Sequence, residues 1–199
     1  PITHCTVLAE SLNNLIPELQ ELVSGLQKST VISHIDLTQG DSVTVLTFRH
    51  LKPITNSDLQ ALLVFCQQHQ FHLYLQPDSA ASIHRVWPDN DNEPLSYAFE
   101  RSDFQTPVEG VAGTEMEGGS IDIQFNPNDF IQVNVENNRR LVAQAIDFLD
   151  LNRSDRVLDL FCGIGNFTLP MATLSSRVVG VEGSDHMVIR AKQNASNNM

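Results

Sequence analysis

The run Val157-Leu158-Asp159-Leu160-Phe161-Cys162-Gly163-Ile164-Gly165-Asn166 gathers an acid, a thiol, two glycines and an amide into one short segment. Glycine lets a backbone turn sharply and approach a ligand with no Cβ in the way. A helix expected from about Asn166 would offer unpaired N–H groups and a positive dipole end to a bound molecule. Glu182 closes the next apolar run, and a carboxylate at that distance from the glycines suits the two hydroxyls of an adenosine ribose. These two features point to a nucleoside cofactor. A dinucleotide site usually has a third glycine, in G-x-G-x-x-G, beneath its pyrophosphate. Here Thr168 stands in that place, and Asp159 adds negative charge upstream, which suits a sulfonium better than a pyrophosphate. S-adenosylmethionine is therefore favoured over NAD. An NAD-dependent oxidoreductase fragment is the rival enzyme, and a glycine turn without a ligand is the plain alternative.

The elements that must hold these residues follow from periodicity. Arg156 to Phe161 reads as a buried strand and Val178 to Val181 as a second, with a helix after each. Leu141, Val142, Ala145, Ile146 and Leu149 mark an amphipathic helix before them. This order is the opening of a doubly wound parallel sheet. Residues 1 to about 126 have a different grammar. A helix is expected over Leu8 to Leu26, interrupted or begun at Pro17. A hairpin follows, from Val31 to Leu37 and from Val43 to Phe48, turned at Gln39-Gly40-Asp41. Next come a helix capped by Thr55 or Ser57, with Leu59, Leu62, Leu63 and Cys66 inward, and a strand from Phe71 to Leu75. Short strands are expected at Ile83 to Trp87, Leu95 to Phe99 and Ile121 to Phe125, with a loop over Glu109 to Gly119. The expected organisation is an α+β central domain over 1–126, followed by the truncated start of an α/β, Rossmann-like domain over 127–199.

Of the 199 residues, 41% are hydrophobic, enough for a core, and no apolar run is long enough to span a membrane. The formal charge of −12 argues against nucleic-acid binding by this stretch on its own. Between Asp78 and Glu136 the only fixed positive charges are Arg85 and Arg101, so a basic RNA surface would have to lie elsewhere. Three scattered cysteines make no disulfide framework, which suits a reducing, cytoplasmic setting. Both ends look cut: the chain starts at Pro1 and stops at Met199 inside a helical pattern.

Asp159-Leu160-Phe161-Cys162-Gly163-Ile164-Gly165-Asn166-Phe167-Thr168, Val179-Gly180-Val181-Glu182-Gly183 and Phe130-Ile131-Gln132-Val133-Asn134 together resemble the RNA uracil-C5 methyltransferases. The resemblance is greatest to the bacterial type acting on 23S ribosomal RNA, whose Cys5-Thr6-Val7-Leu8-Ala9 opening and domain order also fit. The transfer RNA type is the alternative within the family. The resemblance implies a class I methyltransferase domain and S-adenosylmethionine contacts at Gln132, Phe161, Asn166 and Glu182. It implies that Cys5 is the fourth ligand of a [4Fe–4S] cluster in a longer protein. The other three cysteines of that pattern are not in this chain, so Cys5 is expected here as a free, exposed or disordered thiol, with no cluster. In this family a cysteine thiolate adds to uracil C6, C5 then attacks the donor methyl, and a glutamate removes the C5 proton. That cysteine belongs to a Ser-Cys-Asn-Pro stretch absent from this sequence, so no catalytic residue is assigned and the chain alone is expected to be inactive. Cys162 is expected to pack beneath the turn and Cys66 to be core. The outer edges of two parallel strands suggest self-association. An RNA- or protein-binding module over 1–126, with the rest as scaffold, is the reading that involves no catalysis.

Overall fold

The computed structural model describes residues 2–6, 8–89, 93–104 and 119–198. Apart from Gly119, the loop expected over 109–119 lies outside the described residues. The chain forms two compact units, Pro1–Leu95 with Asn126–Asn128, and Ser96–Phe125 with Asp129–Met199.

In the first unit, α1 (Glu10–Asn13) and α2 (Leu15–Gly25) replace the single expected helix. Pro17 explains the break: it has no N–H to give the Asn13 carbonyl, and its ring crowds that position, so the earlier turn cannot run on. Proline is tolerated in the first turn of α2, where such donors are unpaired anyway. Strands β1 (Ile32–Gln39) and β2 (Thr44–His50) form the expected antiparallel hairpin, closed by Gly40 N–H donating to the Val43 carbonyl at 2.8 Å. Helix α3 (Asn56–His69) starts where Thr55 Oγ1 accepts from Asp58 N–H. It crosses to β3 (His72–Gln76), which lies parallel to β2, and β4 (His84–Trp87) returns antiparallel. The sheet order is β1-β2-β3-β4. Leu46, Phe48, Leu62, Cys66 and Leu73 are fully buried in its core. Asp58 ties α3 to the chain leaving α2, its carboxylate accepting from the Gln27 and Lys28 amides at 2.7 and 3.3 Å.

The second unit holds the antiparallel pair β5 (Ser96–Glu100) and β6 (Ser120–Gln124), helix α4 (Val135–Leu149), strand β7 (Arg156–Leu160), helix α5 (Thr168–Ala172), strand β8 (Arg177–Val181) and helix α6 (Asp185–Asn197). Strands β7 and β8 are parallel, with Leu158 opposite Val179 and Leu160 opposite Val181. The β5–β6 hairpin packs into this unit, so the compact units do not divide at the expected position near 126. The cause is visible in the side chains. Asn194 of α6 and Asn198, which caps the end of that helix, bond the backbone of β6, and Arg139 of α4 donates to the Ala98 carbonyl of β5.

Three other expectations change. β7 is not buried: Leu158 and Leu160 are 60% and 58% exposed, on the same face as the exposed Val179 and Val181. Leu141 and Leu149 of α4 are exposed too, and Asn138, Val142 and Ile146 are its buried residues. The helix after the glycine turn begins at Thr168 rather than Asn166 and has five residues. Residues 163–167 are spent on turns, with Gly165 N–H donating to Cys162 and Leu169 N–H to Gly165. So short a helix carries little dipole, and the expected dipole end is not what a ligand would meet.

Candidate functional site

The site is built at the carboxyl ends of β7 and β8, the place where open parallel sheets bind their ligands. β7 ends at Leu160, and Phe161 then turns to φ 61°, a left-handed conformation that bulky residues rarely adopt. Its side chain is 88% exposed, so no burial offsets that backbone cost of about 1–2 kcal/mol. Gly163 and Gly165 follow at φ 56° and 100°, where glycine alone is unstrained. Cys162 N–H still pairs with the Val181 carbonyl, so the strands are zipped to the foot of the turn.

Glu182 leaves β8 and lies across this turn. Its Oε2 accepts from Gly163 N–H at 3.1 Å and its Oε1 from Ser184 N–H at 2.9 Å. Those bonds, Ser184 first and then Gly163, hold its pKa below the ordinary glutamate range, so it is ionised at neutral pH. Each carboxylate oxygen keeps a further lone pair. A diol can therefore be received without breaking the turn.

Asp159 faces the other side of β7. Its Oδ2 accepts from the Thr168 hydroxyl at 2.5 Å, which locks the start of α5 to the strand. Thr168 therefore does with a hydrogen bond what a third glycine does by close approach. Asp159 is thus engaged in the fold as well as being a nearby negative charge.

Cys162 packs against Gly180, where a Cβ would lie 2.8 Å from the sulfur and 3.1 Å from the cysteine Cβ. Burial, then the charges of Asp159 and Glu182, push its thiol pKa up. A thiol kept protonated is a poor nucleophile. The expectation that Cys162 packs beneath the turn fits this geometry. Cys66 is fully buried in the first unit, and burial pushes its thiol up to about 12.

The structure brings Phe161, Asn166 and Glu182 to the turn. Asn166 is held by its neighbours: its Oδ1 accepts from Tyr97 Oη–H and from Asn138 Nδ2–H, both at 2.8 Å, and its own Nδ2–H donates to Asn138 Oδ1 at 2.9 Å. Gln132 lies in an exposed segment before α4, between exposed Phe130 and Val133, and Asn134 caps that helix through Asn137 N–H. No hydrogen bond of this site includes Gln132 among the described contacts.

Cys5 is a free thiol, as expected, and half-buried rather than exposed. Asn13 clamps its backbone, Oδ1 accepting from Cys5 N–H at 2.8 Å and Nδ2–H donating to the Cys5 carbonyl at 2.9 Å. Among the described residues no three His, Cys, Asp or Glu side chains gather as metal ligands. One thiolate does not fit a four-thiolate cluster. No helix of the described residues is long and apolar enough to cross a membrane.

Sequence reasoning missed Asn138, Tyr97 and Asn194. A signal existed for one of them: Asn138 sits one turn before Val142 and two before Ile146 on the buried stripe of α4.

A family model described as tRNA (Uracil-5-)-methyltransferase matches residues 111–199. The 23S rRNA (uracil(1939)-C(5))-methyltransferase RlmD of Alcanivorax borkumensis is 42% identical over 194 residues, covering 98% of this chain and 40% of that protein. This chain is a relative of the RNA uracil-C5 methyltransferases. Within that family, the protein of the same description from Legionella pneumophila is 41% identical over 197 residues, 99% of this chain and 40% of that protein. The chain spans about 40% of the length of these family members. The fold is shared with the Pyrococcus abyssi tRNA (uracil-54, C5)-methyltransferase, solved in complex with S-adenosyl-L-homocysteine. The TM-score is 0.61 at 17% identity, over 99% of this chain and 46% of that one.

Proposed function

We propose that residues 127–199, with the β5–β6 hairpin packed onto them, form the first part of a Rossmann-like S-adenosylmethionine site in an RNA uracil-C5 methyltransferase. In the whole protein the substrate would be a uridine of 23S ribosomal RNA. The observation that carries this reading is the ionised Glu182 lying over a two-glycine turn beside the exposed Phe161.

S-adenosylmethionine supplies a methyl group on a positively charged sulfur. In this chain, Glu182 would accept the ribose hydroxyls on its remaining lone pairs, with the negative charge already in place. Phe161 would offer its bare ring as a flat apolar surface for the adenosine. Asn166 has one Nδ2–H beyond its bond to Asn138, and Gln132 a whole amide, for polar parts of the donor. Gly163 and Gly165 leave the crest of the turn free of side chains, so the ligand can approach the backbone. The catalytic thiolate and the base would come from other parts of the protein, and 23S ribosomal RNA would be its partner. Cys5, its backbone fixed by Asn13, would be one ligand of a [4Fe–4S] cluster completed by cysteines outside this chain. A reducing, cytoplasmic setting suits both thiols.

The NAD reading is disfavoured by the Asp159–Thr168 bond, which fills the space where a dinucleotide site has its third glycine. Calorimetric titration of the 199-residue chain decides between them. S-adenosylhomocysteine should give saturable heat and NAD none, and the reverse result would sink the proposal. Methyl transfer from S-adenosylmethionine to a ribosomal RNA fragment should be undetectable with this chain alone.

A further inference from the structure

The glycine turn is held by side chains that touch no proposed ligand. Asn194 is completely buried, and its amide is fully used. Its Oδ1 accepts from Gln124 N–H, and its two Nδ2–H groups donate to the Gln124 carbonyl and to the Ile164 carbonyl, each at 3.0 Å. Ile164 is the residue between the two left-handed glycines. On the other shoulder, buried Asn138 makes the reciprocal amide pair with Asn166, and Tyr97 adds its hydroxyl.

A turn with two glycines has the most backbone freedom to lose when it is ordered. Left to itself it would sample many shapes, and a ligand would have to select one, at a cost in affinity. Burying a carbonyl such as that of Ile164 is unfavourable unless a donor meets it. Asn194 is that donor, and it is anchored through Gln124 to strand β6. The turn is thus referenced to a sheet rather than to another loop.

We propose that Asn194 and Asn138 are positioning residues of the donor site, which fix the Gly163–Asn166 turn in its ligand-ready form before any ligand arrives. This rests on the donor-site reading above. Asn198 provides the matching control. It bonds Asp122 N–H and carbonyl of the same strand at 2.8 Å each, much as Asn194 bonds Gln124, but has no bond to the turn.

The test is titration of the full 199-residue chain with S-adenosylhomocysteine, followed by backbone amide shifts, for wild type, Asn194→Ala, Asn138→Ala and Asn198→Ala. Asn194→Ala and Asn138→Ala should bind on the order of tenfold more weakly. Asn198→Ala should lower the melting temperature and keep wild-type affinity. Amide exchange at Gly165 N–H should speed up in Asn194→Ala and stay as in wild type in Asn198→Ala. Should Asn194→Ala fail to fold, Asn138→Ala alone decides. Wild-type affinity in the variants of Asn194 and Asn138 overturns the inference while leaving the donor site standing. No saturable shift in wild type overturns the donor site and this inference with it.

Discussion

The four-stranded sheet of the first unit and the β7–β8 pair of the second are both built from alternating apolar residues, yet they are finished differently. In β2 the apolar side chains Val45, Leu46 and Phe48 are all buried, with Leu62, Phe65 and Cys66 of α3 packed over the face that carries Leu46 and Phe48. In β7 and β8 one face, that of Asp159 and Gly180, meets Thr168 and Cys162, while Leu158, Leu160, Val179 and Val181 remain exposed. The first region spends its sequence on a core. The second spends it on an edge where a strained phenylalanine, two left-handed glycines and a charged glutamate meet. The proposed donor site thus lies where packing is thinnest, as expected if a ligand must reach backbone.

This contrast can be broken at its strongest point first. Phe48→Ala should destabilise the chain by about 3–5 kcal/mol through a buried cavity, and Leu158→Ala by about 0.5 kcal/mol or less, both read from urea unfolding. Equal costs would mean that the exposed face of β7 is covered in solution.

Next in size, Gly180→Ala drives a methyl into the Cys162 sulfur and should cost about 1–3 kcal/mol. The double variant Gly180→Ala with Cys162→Ala should recover much of that loss, which a thermodynamic cycle would measure. Additive losses would show that the contact is not what makes Gly180 necessary.

Phe161→Gly should gain about 1 kcal/mol of stability by relieving the left-handed backbone, while weakening S-adenosylhomocysteine binding. Stability and affinity moving together would argue against a functional strain. Smallest is the effect of pH on Glu182. Its carboxylate is favoured by the fold, so the stabilisation is complete above the ordinary glutamate range and is lost only as pH falls through the lowered pKa. A side-chain NMR titration should place its midpoint below that range, and Glu182→Gln should abolish the downfield-to-upfield transition along with ligand binding.

Much of this was legible in the sequence because it depended on neighbours along the chain. The alternation over β1 and β2, the Thr55 cap and the strand-turn-strand spacing from Asp159 to Glu182 are local patterns, and each appears in the structure near its expected place. What was illegible depended on distant partners. Asn138 meets Asn166 from 28 residues away, and Asn194 meets Gln124 from 70. The stripe of α4 marks Asn138 as inward-facing, but neither amide's partner can be read from its own helix. The start of α5 was misplaced because the turn takes in Asn166 and Phe167, which a helix pattern would also accept. The unit boundary was missed because side chains of α4 and α6, rather than a linker composition, bind the β5–β6 hairpin.

Asn194 and Asn198 are one helical turn apart, about 6 Å, close to the two-residue repeat of the strand they face. Their amides take the places that a neighbouring strand's peptide groups would occupy, and Arg139 blocks the Ala98 carbonyl on the hairpin's far side. A helix here impersonates a strand. The edge of β6 is consequently closed at Asp122 and Gln124: a visiting chain would find both residues' peptide groups already taken, and would have to lift the end of α6 away before it could pair there.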